Sequence, residues 1–152
     1  MRPARLVLLT VALGAVECDT GPAHDLPAGW AGARELPVDQ SACEAGGGVA
    51  PAGELMLMRG MGRLRASYLG AQFRCQQRVC AYRLDGVGQV RVLVQPCEMD
   101  PTEVPRCDCL YRVGFDLTGV ETGNSVELHR RWDRYGATSE PAPVLVDSER
   151  AP

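Results

Sequence analysis

The chain has 152 residues, a length that fits one domain, and a formal net charge of −3 at pH 7. A balance so close to neutral gives no electrostatic basis for nucleic acid or an acidic lipid surface as a partner. All 16 basic residues are Arg, Ile is absent and Asn124 is the sole Asn, a GC-rich codon bias that points to a bacterial genome, so that Arg in place of Lys says little about phosphate or carboxylate recognition.

The chain opens with the basic start Met1-Arg-Pro-Ala-Arg5, followed by the uncharged run LVLLTVALGAV over residues 6–16. Eleven apolar residues are too few to cross a bilayer, which takes about 20. A basic n-region and an h-region of this length predict a secretory signal peptide over residues 1–17. Cys18 stands where a bacterial lipoprotein carries its lipid, and Val16 suits such a site, whereas Glu17 and Ala15 depart from it. Ordinary cleavage after Gly14 is the alternative. Seven cysteines (Cys18, Cys43, Cys75, Cys80, Cys97, Cys107 and Cys109) make an odd set for an exported protein. Lipidation of Cys18 leaves six, and the resulting anchor makes the membrane a partner.

Residues 18–42 hold Pro and Gly without periodicity, which predicts a flexible tether with Trp30 as an incidental exposed residue. The folded domain is expected over residues 43–136. Its least regular stretch, Leu55 to Gln72, offers a helical stripe of Leu57, Met61, Leu64 and Tyr68, but Gly60, Gly62 and Gly70 oppose a helix. Two short strands are the expectation there, with Met56, Met58 and Met61 filling core rather than binding soft metal. Residues 78–84 and 89–95 flank the Gly-containing turn 85–88 and predict a hairpin.

From Cys107 to Leu117 the alternation is clear: Cys107, Cys109, Tyr111, Val113, Phe115 and Leu117 share one parity. This predicts a strand with one apolar face. A further strand is expected over Val126–Trp132, with Val126, Leu128 and Trp132 on one face. The Pro-rich tail 137–152 is expected to be mobile, with Val144-Leu-Val146 as an optional edge strand. Short strands at regular spacing between Gly and Pro imply an all-β fold, a small antiparallel β-sandwich stapled by disulfides.

Cys107 and Cys109 carry the chemical question. A zinc set with Cys75 and Cys80 has poor spacing, since no Cys-x₂-Cys knuckle exists. Redox catalysis normally uses Cys-x-x-Cys at a helix N-terminus. Structural bridging suits a strand better: residues i and i+2 lie nearly 7 Å apart, roughly the limit for bonding each other, so each reaches a separate neighbour. Cys43, Cys75, Cys80, Cys97, Cys107 and Cys109 then form three bridges. A hairpin centred near residues 86–87 places Cys75 against Cys97 and leaves Cys80 and Cys43 for Cys107 and Cys109.

Other chemistry is sparse. A catalytic relay would need His129 with Ser125 or Ser67 and Asp133, but no Gly-x-Ser-x-Gly surrounds either serine. His129 has the parity of the solvent face. Glu98, Asp100, Glu103 and Asp108 form an acidic loop without the spacing of a calcium loop, and Gly46, Gly47 and Gly48 lack the ending of a phosphate loop. Arg130, Arg131 and Arg134 near Trp132 and Tyr135 read as strand-end surface charge or as a protein-binding cluster. No catalytic, metal or cofactor set emerges.

The runs at 68–75, 92–97 and 107–111, including the Cys-Asp-Cys-Leu-Tyr strand, resemble those of uncharacterised exported lipoproteins of GC-rich bacteria and are similar to immunoglobulin-like β-sandwich domains. The resemblance spans residues 43–135 and implies no catalytic residues. The expectation is a non-enzymatic, lipid-anchored envelope protein that binds an envelope or extracellular protein or polymer. The alternatives are secretion without an anchor, a small secreted hydrolase and a thiol oxidoreductase.

Overall fold

Alternating apolar and polar side chains need two layers to bury the apolar faces, and the chain supplies them. The computed structural model describes residues 25–45, 53–103 and 107–152. The strands among these are β1 (Arg34–Leu36), β2 (Asp39–Gln40), β3 (Glu44–Ala45), β4 (Glu54–Gly60), β5 (Arg63–Arg74), β6 (Val79–Gly86), β7 (Gln89–Pro96), β8 (Asp108–Asp116), β9 (Ser125–Arg130) and β10 (Val144–Arg150). One sheet runs β1-β6-β7-β9-β10. The other runs β2-β8-β5-β4, with β3 also on β8. The architecture is the expected all-β sandwich. Every pairing is antiparallel except that of β7 with β9, which is parallel.

The core lies between the sheets. From β8 come Cys109, Tyr111, Val113 and Phe115, on the predicted parity, with Leu117 beyond the strand end. They face Val90, Val92 and Val94 of β7 and Val126 and Leu128 of β9. Two strands do replace the helical alternative before Gln72. In β5 the buried set switches from Leu64, Ala66 and Tyr68 to Ala71 and Phe73. A register shift between Tyr68 and Ala71 causes the change of parity, and Gly70 sits there at φ +65°. Such an extra residue turns the strand and re-aims its side chains. Glycine takes that backbone without the Cβ penalty. The three methionines are not core filling: inward positions of β4 belong to Leu55 and Leu57, while Met56, Met58 and Met61 are exposed.

Three further expectations change. Trp30 is buried at 3% exposure, not an incidental surface residue. Its segment turns twice, with main-chain bonds from Trp30 to Pro27 and from Ala33 to Trp30, and lies on the outer face of β6 and β7. Trp30, Cys80, Tyr82 and Leu93 form a second small core there, so β6 and β7 are buried on both faces. The described part of the expected tether is therefore packed, and residues 34–40 contribute strands β1 and β2. The tail is likewise no loose end. Val144–Arg150 pairs with β9 along its length, and Ala151 is buried.

Candidate functional site

The sulfur atoms gather because of where the strands end. Cys75 follows the last residue of β5, and Cys107 precedes the first residue of β8. Since β5 and β8 are antiparallel, with Arg74 opposite Asp108, the two cysteines face each other. The Cys75 amide donates to the Cys107 carbonyl at 2.9 Å, and a disulfide joins their side chains across 5.5 Å between Cα atoms. Cys109, two residues on, faces inward beside β3 and bonds to Cys43 with a Cα separation of 5.3 Å. The third bridge links Cys80 of β6 to Cys97 just beyond β7, 5.5 Å being replaced here by 4.9 Å. Three cystines are the mark of an oxidising, non-cytoplasmic setting.

The six expected cysteines thus all bridge, and neighbours Cys107 and Cys109 reach separate partners. The expected pairing of Cys75 with Cys97 is wrong. Gly86 lies opposite Gln89, so the hairpin turn is the two residues Val87 and Gly88, and Cys80 is the strand residue close to Cys97. Cys75 belongs to the other sheet: after Gln76, at φ +62°, the chain crosses between the layers. The same crossing separates Cys80 from the other sulfurs of the considered zinc set. Cys43, Cys75 and Cys109 instead bring their sulfurs within 4.8 Å of one another, but as members of two cystines.

Beside the sulfurs opens a cleft of about 550 Å³, lined by Arg74, Cys75, Gln77, Arg78, Cys97 and Glu98. Arg74 forms its partition from a shallower hollow of about 450 Å³ that includes Trp132, Tyr135 and Pro141. The Arg74 guanidinium donates to the Asp133 carboxylate at 3.0 and 3.4 Å, and the Gln77 amide donates to the same group at 2.8 Å. Asp133 is fully covered, so its charge is met by a guanidinium and an amide rather than by water. Arg74 also lies over the ring of Tyr135, 5.4 Å from its centroid, while Tyr135 itself is exposed. The result is a guanidinium fixed in place by its ion pair, with an aromatic edge open to solvent.

A second group of arginines ties the distant segments together. Arg131 is buried, not surface charge. It donates to the Asp25 carbonyl at 2.8 Å, the Pro141 carbonyl at 2.9 Å and Gln95 Oε1 at 3.2 Å, and pairs with Glu140. Burial pushes its pKa down from the ordinary Arg value. Arg134 pairs with Asp25, with Asp100 at 2.8 Å and with Glu140 at 2.7 Å. Its hydrogen bond to Asp25 raises its pKa and lowers that of Asp25. Arg130 stacks over Trp132 at 4.7 Å. The cluster is an internal clasp between the segment before β1, the loop after β7 and the segment before β10.

The remaining candidates do not converge. His129 does lie on the outer face of its sheet, but Trp30 covers it edge-on at 5.3 Å, and its Nε2 meets Glu127 at 3.2 Å. Ser125 is four residues away on the same strand, roughly 13 Å at the rise of extended chain, and Ser67 belongs to the opposite sheet. Asp133 is committed to Arg74. Of the acidic loop, Asp100 binds Arg134, and Asp108 accepts from Gln72 at 3.2 Å. Cys18 and the run Gly46, Gly47 and Gly48 lie outside the described residues. Sequence reasoning missed the Arg74–Asp133 pair, because partners 59 positions apart leave no local pattern. No protein family matches the chain, and no curated protein or solved structure is similar to it.

Proposed function

We propose that this chain is a binding module of a bacterial cell envelope, exported by the leader and held at a membrane through a lipid on Cys18. Its binding face is the end of the sandwich bearing the cleft and the Tyr135 hollow, and its ligand is another envelope or extracellular protein or a surface polymer. The observation that carries this reading is the fixed Arg74. Asp133 and Gln77 hold its guanidinium, cystines flank it, and an exposed aromatic lies beside it. Arg and Tyr with restrained rotamers are the side chains that give affinity at small interfaces, because little freedom is lost on binding.

The test is site-specific photo-crosslinking in the intact host. A crosslinker at Arg78 or Tyr135 is expected to capture one and the same partner, and one at Val87, in the hairpin turn, is expected to capture none. The same pattern from all three positions would remove the binding face. The anchor is checked separately: Cys18→Ser is expected to abolish incorporation of labelled palmitate and release the protein from the membrane fraction.

A further inference from the structure

Two of the three cystines are not independent of each other. The sulfur of Cys109, bonded to Cys43, lies 3.0 Å from the sulfur of Cys75, bonded to Cys107. The sulfurs of Cys43, Cys75 and Cys109 all lie within 4.8 Å of one another. The four residues also differ in access. Cys43 and Cys107 are exposed, Cys75 is half-buried and Cys109 is fully covered. The chain of sulfurs therefore runs from one exposed cysteine, through an inner pair, to a second exposed cysteine.

We infer that these four cysteines form a thiol–disulfide relay, in which an external thiol that attacks Cys43 causes a thiolate to emerge at Cys107. The substrate class is a small thiol or the cysteine of an extended polypeptide. Its thiolate attacks the Cys43 sulfur. The Cys43–Cys109 bond breaks, a mixed disulfide forms on Cys43, and the electron pair passes to Cys109. The Cys109 thiolate then attacks the Cys75 sulfur. A Cys75–Cys109 bond forms, the Cys75–Cys107 bond breaks, and the electron pair leaves on Cys107, which takes a proton from water. One thiol is consumed and one released, so these two steps involve no net oxidation. A second external thiol resolves the mixed disulfide on Cys43 and departs as the oxidised dimer. The sum is two thiols oxidised to one disulfide and one protein cystine reduced, with free thiols at Cys43 and Cys107.

The direction follows from solvation. A thiolate in the covered position of Cys109 lacks water, whereas one at exposed Cys107 is hydrated. Transfer outward is favoured on that ground, and the internal step needs no access from solvent because the attacking Cys109 sulfur already lies beside that of Cys75. The Cys80–Cys97 bridge is on the other sheet and takes no part. The relay is a property of the sulfur cluster and stands whether or not the neighbouring cleft binds a partner.

The experiment locates the free thiol. In oxidised full-length Cys43→Ser, native alkylation followed by peptide mapping is expected to label Cys107, with Cys75 linked to Cys109. A free thiol confined to Cys109, with Cys75 still linked to Cys107, would overturn the relay. The wild-type protein gives a second, independent reading that needs no variant to fold. Limiting reduced glutathione is expected to place an adduct on Cys43 and a free thiol on Cys107 in the same molecules. An adduct on Cys43 accompanied by a free Cys109 would refute it.

Discussion

Replacing both cysteines of a single bridge with alanine leaves no odd thiol to attack its neighbours, so the loss reports that bridge alone. The bridges are nested, with sequence separations of 17 for Cys80–Cys97, 32 for Cys75–Cys107 and 66 for Cys43–Cys109. With Cys75–Cys107 intact, Cys80–Cys97 therefore closes a loop of about 15 residues and Cys43–Cys109 one of about 34, which stabilise by about 3.0 and 3.8 kcal/mol. These two pairs each contain one buried cysteine, Cys80 at 4% and Cys109 at 0% exposure. Lost packing is then similar, and about 0.7 kcal/mol between the two double variants isolates the loop effect. With a slope of about 1.5 kcal/mol per molar urea, the midpoints fall by about 2 M for Cys80→Ala/Cys97→Ala and about 2.5 M for Cys43→Ala/Cys109→Ala. Equilibrium urea unfolding followed by circular dichroism measures this. Equal losses, or a larger loss from the short loop, would refute the reasoning.

Trp30→Ala is expected to cost about 3 kcal/mol, since it empties the centre of the outer core, and to raise the protease sensitivity of residues 25–33. Tyr82 has its pKa pushed up to about 12, first by burial and then by the nearby Glu35 charge. A raised folded pKa means stability that is whole below pH 10 and declines as the pH rises towards 12. Tyr82→Phe is expected to remove up to about 3 kcal/mol of that alkaline loss, read as a flatter melting temperature between pH 9 and 12. Gly70→Val places a β-branched side chain at φ +65° and is expected to destabilise by about 2 kcal/mol or more in the same urea assay.

Period-two patterning was legible wherever a strand has one wet face. The inward set of β8 from Cys109 to Phe115 and the pair Val126 and Leu128 in β9 follow from alternation alone. It was less informative where the register slips. In β5 the bulge at Gly70 changes parity, so its buried residues suggest a helix as readily as a strand. The packing of Trp30 against His129 could not be read either, since it depends on a segment about 100 positions away folding over the sheet. Even so, the flanking Pro27, Gly29 and Gly32 are turn formers that hint at an ordered bend. The sulfur pairing failed because a hairpin register extrapolated past its last paired residue ignores that Cys75 has already crossed to the other layer. That six cysteines would bridge followed from parity, whereas the closeness of Cys109 to Cys75 is tertiary and has no signature in spacing.

The parallel union of β7 with β9 has a consequence for biogenesis. A polypeptide that is translocated N-terminus first delivers the β6–β7 hairpin well before Ser125–Arg130 emerges. Until then β7 presents the valine-rich ladder of Val90, Val92 and Val94 with unsatisfied main-chain groups along one side, the kind of template that recruits other nascent chains. Fragments that stop short of residue 125 should therefore precipitate, and a holding chaperone would find its target in that waiting ladder.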